Sequence, residues 1–173
     1  MTATETTLTY AEVGATRTLP LPAGYNHLRV RARIGDGEAV YATAVDAVLS
    51  WRMHRASGAR VTAEGPAATG ERATVSLGIG PLAFTAPCEV VWAEQGEARG
   101  GFGYGTLRGH PERGEEAFVV EREADGAVYF TVTAFSRPAV WYARLGGPVV
   151  PVLQRLYARR LARTLRRLAA AEG

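Results

Sequence analysis

The chain has 173 residues, 47% hydrophobic and 21% charged, a composition typical of a folded domain and not of a disordered chain. It has no apolar run long enough to span a bilayer and no signal-like start, and its single cysteine excludes an intrachain disulfide, so the cytoplasm is the expected location. All 20 cations are arginines, and residues 144–173 hold seven of them against Glu172 alone. The positive charge is therefore concentrated towards the C-terminus.

The length suits one domain over residues 1–173. Residues 1–25 are predicted to form an irregular arm, because prolines and a glycine interrupt its second half. Residues 26–34 alternate apolar and polar side chains, which is the period of a half-buried strand. A helix is then predicted over residues 38–55, with Gly58 as its stop.

After this helix the pattern becomes that of β-structure, with short alternating segments separated by glycine, proline and charged turns. Six strands are predicted, over residues 59–64, 73–79, 87–95, 98–107, 115–124 and 127–136. The pair Asp125-Gly126 predicts a tight hairpin between the last two.

A long C-terminal helix is predicted over residues 147–170. Its apolar residues recur at helical spacing: Val149, Val152, Leu153, Leu156, Tyr157, Leu161, Leu165 and Leu168. A stripe of this width must be buried against the sheet, so Leu153, Leu156, Leu161 and Leu165 are expected to be buried and Arg159, Arg163 and Arg167 exposed. The order of elements predicts an α+β helix-grip fold, in which a seven-stranded bent antiparallel sheet surrounds the long C-terminal helix.

The segment over residues 100–118 is the densest in residues that could carry chemistry. Alternation separates its larger side chains from its glycines: Phe102, Tyr104 and Thr106 share one face, and Gly101, Gly103 and Gly105 share the other. A glycine face either bends sharply or admits another backbone or a ligand. A dinucleotide-binding motif is excluded, because the glycine spacing does not fit and a hairpin follows in place of a helix.

Five segments carry a distinctive series of motifs: TYAEVGAT, WRMHR, PCEVV, GFGYGTLRGHPERGEEAF and FSRPAVWYARLGGPVVPVLQRLYARR. In this order, over residues 9–168, they resemble a bacterial and plant domain-of-unknown-function family with the signature YGTL–GHP–GEE–F. That family is grouped with START-like (SRPBCC, Bet v 1-like) helix-grip proteins, so the resemblance implies the fold that the periodicity predicts. Members of that superfamily commonly hold apolar ligands between sheet and C-terminal helix, and some are cyclases or hydrolases.

His110 is the candidate catalytic residue, because its pKa lies near neutrality and Glu115 or Glu116 could orient its ring. In the alternative interpretation, His110 and Pro111 shape a turn, and the two glutamates cap backbone groups or pair with arginines.

The candidate ligand-binding residues lie on several elements. Tyr104 and Thr106 could place hydroxyl groups in an enclosed pocket of roughly a few hundred Å³, bordered also by Trp51 and Phe118. Arg137 could clamp a carboxylate or phosphate. The structural alternatives are a core tyrosine, a tryptophan that anchors the end of the first helix, and an ion pair between Arg137 and one of the two glutamates.

Three histidines on unrelated segments predict no metal site, and the absence of lysine excludes a P-loop lysine and a Schiff base, so no cofactor is expected. The leading hypothesis is a domain that binds a small hydrophobic or lipid-like molecule between sheet and helix. The alternative is a cyclase or hydrolase that uses His110 with Glu115 or Glu116. A third possibility is an electrostatic adaptor acting through the Arg-rich helix. Nucleic acid is not the expected partner, because no aromatic side chains are interleaved with the arginines.

Overall fold

The computed structural model describes residues 7–78, 84–139, 147 and 149–171. Seven strands and three α-helices occur within these ranges: β1 (Asn26–Asp36), α1 (Gly37–Leu49), α2 (Arg52–Ala56), β2 (Arg60–Ala63), β3 (Arg72–Leu77), β4 (Phe84–Gln95), β5 (Arg99–Thr106), β6 (Glu112–Arg122), β7 (Ala127–Pro138) and α3 (Val149–Ala171). The predicted α+β class and strand order are confirmed.

The strands form one antiparallel sheet in the order β1-β7-β6-β5-β4-β3-β2. The helices cover one face of this sheet, called here the inner face, and the opposite side is the outer face. The predicted hairpin joins β6 to β7, with Gly126 in the left-handed region at φ 89° and Asp125 Oδ1 accepting a hydrogen bond from the Ala127 N–H. Register shifts between Arg33 and Gly35 and between Val90 and Trp92 mark irregularities in β1 and β4.

The helix predicted over residues 38–55 is two helices, because Trp51 interrupts it. Trp51 adopts the left-handed conformation at φ 62°, which is rare for a bulky residue. Its side chain is buried, and Nε1 donates a hydrogen bond to the Gly65 carbonyl oxygen at 3.1 Å. The break therefore directs the indole into the core, which a pattern of apolar spacing does not reveal.

The C-terminal half of α3 packs against β1, α1 and α2. Leu161 and Leu165 are fully buried, and Arg159, Arg163 and Arg167 are exposed, as predicted. Burial along the helix begins at Ala158 and includes small side chains as well as leucines. Within the described ranges, no helix is both long and apolar enough to cross a bilayer.

The prediction that Leu153 and Leu156 are buried is wrong. Both are at least 50% exposed, as are Val149 and Val152 of the same helical face. The apolar stripe winds around the helix, because each step of four residues rotates it by about 40°, so Leu156 lies about 140° around α3 from Leu161. The first two turns of α3 thus keep an apolar face towards solvent.

The N-terminal arm packs against the outer face, where the glycines of β5 make room for it. An added Cβ at Gly105 would lie 2.2 Å from the Tyr10 hydroxyl oxygen, and one at Gly103 would lie 3.0 Å from the Thr16 hydroxyl oxygen. Leu8 forms a β-bridge with Leu107. Of the alternatives left open for this glycine face, the structure shows the close approach of another segment of the chain. Residues 7–25 are irregular apart from a short 3₁₀-helix, Ala15–Arg17.

Candidate functional site

Glu116 lies in the middle of the inner face of the sheet. It is paired across the strands with Tyr104 of β5 on one side and Ala134 of β7 on the other. The same row continues to Val90 of β4 and Leu28 of β1. All four neighbours belong to the hydrophobic core or pack against it. The fold therefore places one carboxyl group among largely apolar side chains.

The Tyr104 hydroxyl donates a hydrogen bond to Glu116 Oε2 at 2.9 Å. Burial raises the pKa of Glu116 to about 7, the hydrogen bond from Tyr104 opposes this rise, and the charge of Glu112 adds to it. Near neutral pH the carboxyl group is therefore present in both forms. Its neutral form can donate a hydrogen bond, whereas its charged form can only accept.

Two further polar groups flank this pair. The buried Cys88 thiol contacts the Ala73 carbonyl oxygen at 3.3 Å, and burial raises the pKa of Cys88 to about 12, so it remains a neutral thiol. The Tyr157 hydroxyl of α3 is buried and has no hydrogen-bond partner among the described residues. Burial raises the pKa of Tyr157, and the nearby charge of Glu116 raises it further. Tyr157 therefore provides a buried donor without an acceptor, which is uncommon in proteins.

A cavity of about 230 Å³ lies between the first turns of α3 and one end of the sheet. Its lining residues are Asn26, Glu112, Pro138, Gly147, Val150, Pro151 and Gln154. Glu112 lies on the same face of β6 as Glu116, because the two are four residues apart along a strand. Burial raises the pKa of Glu112, and a hydrogen bond from Ser136 opposes the rise. Glu112 thus borders the cavity and interacts electrostatically with Glu116.

His110 lies in the turn between β5 and β6. Its Nδ1 accepts a hydrogen bond from the backbone N–H of Glu112 at 2.9 Å, and burial lowers the pKa of His110 to about 4. The ring is therefore neutral at neutral pH. No hydrogen bond or ion pair described for the chain joins it to Glu115 or Glu116, and the geometry favours the interpretation in which His110 shapes the turn.

Glu115 points to the outer face, away from Glu116. Its carboxylate accepts hydrogen bonds from the Tyr10 hydroxyl at 2.7 Å, the Gly14 N–H at 2.7 Å and the Thr16 N–H at 2.9 Å, and also from the Thr16 hydroxyl. The side chain is buried, and every one of these donors belongs to the N-terminal arm. The structure thus separates the two neighbouring glutamates, and Glu115 anchors the arm.

Trp51 and Phe118 belong to an aromatic cluster beneath Tyr104. Trp51 contacts Phe102 with ring centroids 4.7 Å apart, and Phe118 lies 5.4 Å from Tyr104. His54 packs edge-on against Phe118 at 4.6 Å, and burial lowers the pKa of His54 to about 3. Neither ring nitrogen of His54 has a hydrogen-bond partner among the described residues. The cluster forms the apolar surroundings of Tyr104. The cavity of about 230 Å³ is lined by none of the residues predicted to border a pocket, which are Trp51, Tyr104, Thr106 and Phe118.

Thr106 and Arg137 contact the N-terminal arm. The Thr106 hydroxyl accepts a hydrogen bond from the Gly114 N–H at 3.0 Å and lies 2.5 Å from the Thr9 hydroxyl. The Arg137 guanidinium stacks on the Tyr25 ring at 5.1 Å, beside an open depression of about 460 Å³ formed largely by the arm. The structure therefore does not bring Arg137 to Tyr104 and Glu116.

The sequence pattern does not reveal Cys88, Glu112 or Tyr157 as members of this site. The period of two along β6 was a usable signal, since it places Glu112 and Glu116 on one face. Helical spacing places Tyr157 in the apolar stripe of α3, but it does not show which strand of the sheet the Tyr157 hydroxyl faces. Among the described residues, no three His, Cys, Asp or Glu side chains are grouped so that they could hold a metal ion.

Glu116→Gln is expected to remove part of the pH dependence of stability. The folded-state pKa is raised from 4.5 to about 7, so between these values the unfolded chain releases a proton that the folded chain retains. The contribution of Glu116 to the free energy of unfolding is therefore complete below pH 4.5. It is lost as pH rises towards 7, and this loss is on the order of 3 kcal/mol. Urea unfolding of both proteins across this range checks the prediction, and parallel curves for wild type and variant would contradict it.

Solved structures share this fold. The Thermus thermophilus protein TTHA0849 superposes with a TM-score of 0.60 at 16% identity, covering 84% of this chain and 98% of its own. Ara h 8.0201 superposes with a TM-score of 0.58 at 12% identity, covering 86% of this chain and 99% of its own. The likeness to the latter places the fold among the Bet v 1-like helix-grip proteins. At these identities the likeness shows the fold alone.

Curated relatives show the family. A UPF0548 protein of Deinococcus radiodurans is 37% identical over 171 residues, covering 92% of this chain and 86% of the relative. A UPF0548 protein of Arabidopsis thaliana is 32% identical over 140 residues, covering 78% of this chain and 67% of the relative. Residues 9–164 match the family described as "Domain of unknown function (DUF1990)". The chain therefore belongs to the DUF1990 (UPF0548) family, which occurs in both bacteria and plants.

Proposed function

We propose that this domain binds a small hydrophobic molecule with one uncharged polar group, between the inner face of the sheet and α3. Two observations carry the proposal: the partly buried Glu116–Tyr104 pair, and the buried Tyr157 hydroxyl, which has no hydrogen-bond partner among the described residues. A buried donor without an acceptor costs stability. Tyr157 follows the lining residue Gln154 by three positions on α3, so the polar group of a ligand that enters from the cavity would supply that acceptor. Val150 and Pro151 of the lining suit its apolar body.

The charges around the site favour a neutral ligand. Glu112 and Glu116 interact electrostatically, and none of the described residues that line the cavity is basic. A ligand carboxylate would therefore approach like charges without a compensating cation, which is unfavourable. An alcohol or a ketone can accept from Tyr157 and from the neutral form of Glu116. Alcohols, ketones and esters of modest size are the expected class, because the cavity of about 230 Å³ is smaller than the roughly 300–1,000 Å³ of most ligand sites.

Binding can be tested with a neutral fluorescent dye, Nile red, displaced by dodecanol or by dodecanoate at pH 8. Dodecanol is expected to displace the dye at least about tenfold more effectively, since the carboxylate meets the repulsion described above. Equal displacement by both compounds would contradict the proposed ligand class. Absence of any saturable dye binding would contradict the binding function itself.

Tyr157→Phe separates a binding role from a structural one. Loss of the hydroxyl is expected to weaken dodecanol binding by about fivefold to tenfold, because one hydrogen bond is lost. The free energy of unfolding without ligand should remain within about 0.5 kcal/mol or rise, since an unsatisfied donor is removed. Tyr25→Phe, which alters the outer depression only, is the matched control and should leave dodecanol binding unchanged. Unchanged binding in Tyr157→Phe would show that this hydroxyl does not contact the ligand.

A further inference from the structure

The first two turns of α3 present an apolar surface to solvent. Its four large side chains lie at spacings of three and four residues, and therefore on one helical face: Val149, Val152, Leu153 and Leu156. Each is at least 50% exposed, in a helix whose remaining leucines are mostly buried. These four residues are called here the apolar tip. An exposed apolar patch at one end of a helix is typical of an interaction site.

Arginines continue the same side of the helix beyond the tip. Arg159 follows Leu156 by three residues and Arg163 follows it by seven, so both extend the exposed face. The exposed arginines that flank or extend the tip, called here the arginine ridge, are Arg155, Arg159, Arg160, Arg163, Arg166 and Arg167. The described part of α3 contains no acidic residue, and no ion pair to an acidic side chain is described for any member of the ridge. The ridge is therefore an uncompensated strip of positive charge.

We propose that α3 docks on an anionic phospholipid surface, with the apolar tip in the interfacial region and the arginine ridge on the lipid phosphates. Tip and ridge share one side of a helix about 35 Å long, so a single flat surface can meet both at once. Guanidinium groups bind phosphate oxygens in a bidentate manner, and the long arginine side chains let the charge stay at the level of the head groups.

A second copy of this chain is a less suitable partner for the same surface. A symmetric contact through α3 would bring two arginine ridges together, and the described residues of the helix offer no carboxylate to neutralise them. An anionic bilayer supplies both an apolar interior and negative charge. The inference concerns this surface alone and does not depend on whether the internal cavity binds a ligand.

The docked orientation would also place the cavity near the bilayer. Val150, Pro151 and Gln154 line the cavity and alternate with the residues of the tip along the same two turns. Phe84, another exposed large side chain, begins β4 at the end of the sheet where β5 and β7 finish. The mouth of the cavity and the apolar tip therefore belong to one end of the molecule.

Flotation with vesicles tests the proposal. The full chain is mixed with vesicles of phosphatidylcholine, alone or with about 30% phosphatidylglycerol, at salt concentrations from about 50 mM to about 500 mM. The wild-type chain is expected to bind the anionic vesicles at least about tenfold more tightly than the neutral ones, with binding that falls as salt rises. Absence of binding to anionic vesicles at low salt would overturn the proposal.

Two double variants separate the tip from the ridge. One variant carries Leu153→Ser and Leu156→Ser, and the other carries Arg159→Gln and Arg163→Gln. Each should weaken binding to the anionic vesicles by about tenfold or more, because the first removes the apolar contribution and the second removes the electrostatic one. Arg29→Gln with Arg33→Gln removes the same charge from the outer side of β1 and should change binding by less than about threefold.

If the Arg29 and Arg33 pair weakens vesicle binding as much as the Arg159 and Arg163 pair, the assignment of the ridge is wrong. Binding would then depend on the net charge of the protein and not on the position of the arginines. A serine pair that binds as tightly as wild type would overturn the assignment of the tip. If the wild-type chain instead forms a dimer that the serine pair abolishes, without binding vesicles, the surface is an interface between copies and the proposal is wrong. All these substitutions are at exposed positions, and unchanged thermal unfolding confirms that the variants are folded.

Discussion

Leu161→Ala is expected to lower the free energy of unfolding by about 2–5 kcal/mol. Leu161 is fully buried in the half of α3 that packs against β1, α1 and α2, so truncation removes apolar contacts and leaves a cavity. A loss of this size is a large part of the roughly 5–15 kcal/mol that stabilises a typical domain. Urea or thermal unfolding of the purified variant measures it.

Leu153→Ala is the matched control, because it makes the same substitution in the same helix. Leu153 is 57% exposed, so its truncation should change the free energy of unfolding by less than about 0.5 kcal/mol. The small difference in helix propensity between leucine and alanine cancels between the two variants. Similar losses in both would mean that the first turns of α3 are packed against the domain, which would contradict the exposed apolar tip.

Glu115→Ala is expected to destabilise the domain by about 3–5 kcal/mol and to release the N-terminal arm. The buried carboxylate accepts hydrogen bonds from the Tyr10 hydroxyl and from the backbone N–H groups of Gly14 and Thr16, and its loss leaves these donors without an acceptor. The arm should then become accessible to trypsin at Arg17, which can be followed by mass spectrometry together with urea unfolding.

Glu123→Ala provides the comparison for a surface carboxylate. Glu123 pairs with Arg31 at the surface, and both side chains are more than a third exposed, so its removal should cost less than about 1 kcal/mol and leave the arm protected. Equal stability of Glu115→Ala and Glu123→Ala would show that the arm does not depend on the carboxylate of Glu115.

The adjacent glutamates illustrate the limit of local pattern. Alternation along β6 puts Glu115 and Glu116 on opposite faces, and this much follows from the sequence. Which face is covered by helices and which by the arm depends on segments far away in the chain, since the donors to Glu115 lie about 100 residues earlier. The different environments of two identical side chains are therefore a tertiary effect.

The features predicted correctly are those that depend on neighbouring residues. The glycine face of β5, the Asp125-Gly126 hairpin and the order of strands and helices follow from backbone preferences and from the period of apolar residues, which act over a few positions. The motifs quoted from the chain were also sufficient to predict the family. Such interactions are local, so a sequence expresses them directly.

The remaining features depend on contacts between distant segments. Leu153 and Leu161 belong to one apolar stripe, but the stripe winds around α3, and only Leu161 lies on the side that meets β1, α1 and α2. The charge of Glu116 acts on the Tyr157 hydroxyl because α3 returns to the inner face of the sheet, and the raised pKa of Glu116 requires burial that several strands and helices produce together. Burial and electrostatic coupling are properties of the packed assembly, because they depend on which surfaces exclude water from one another.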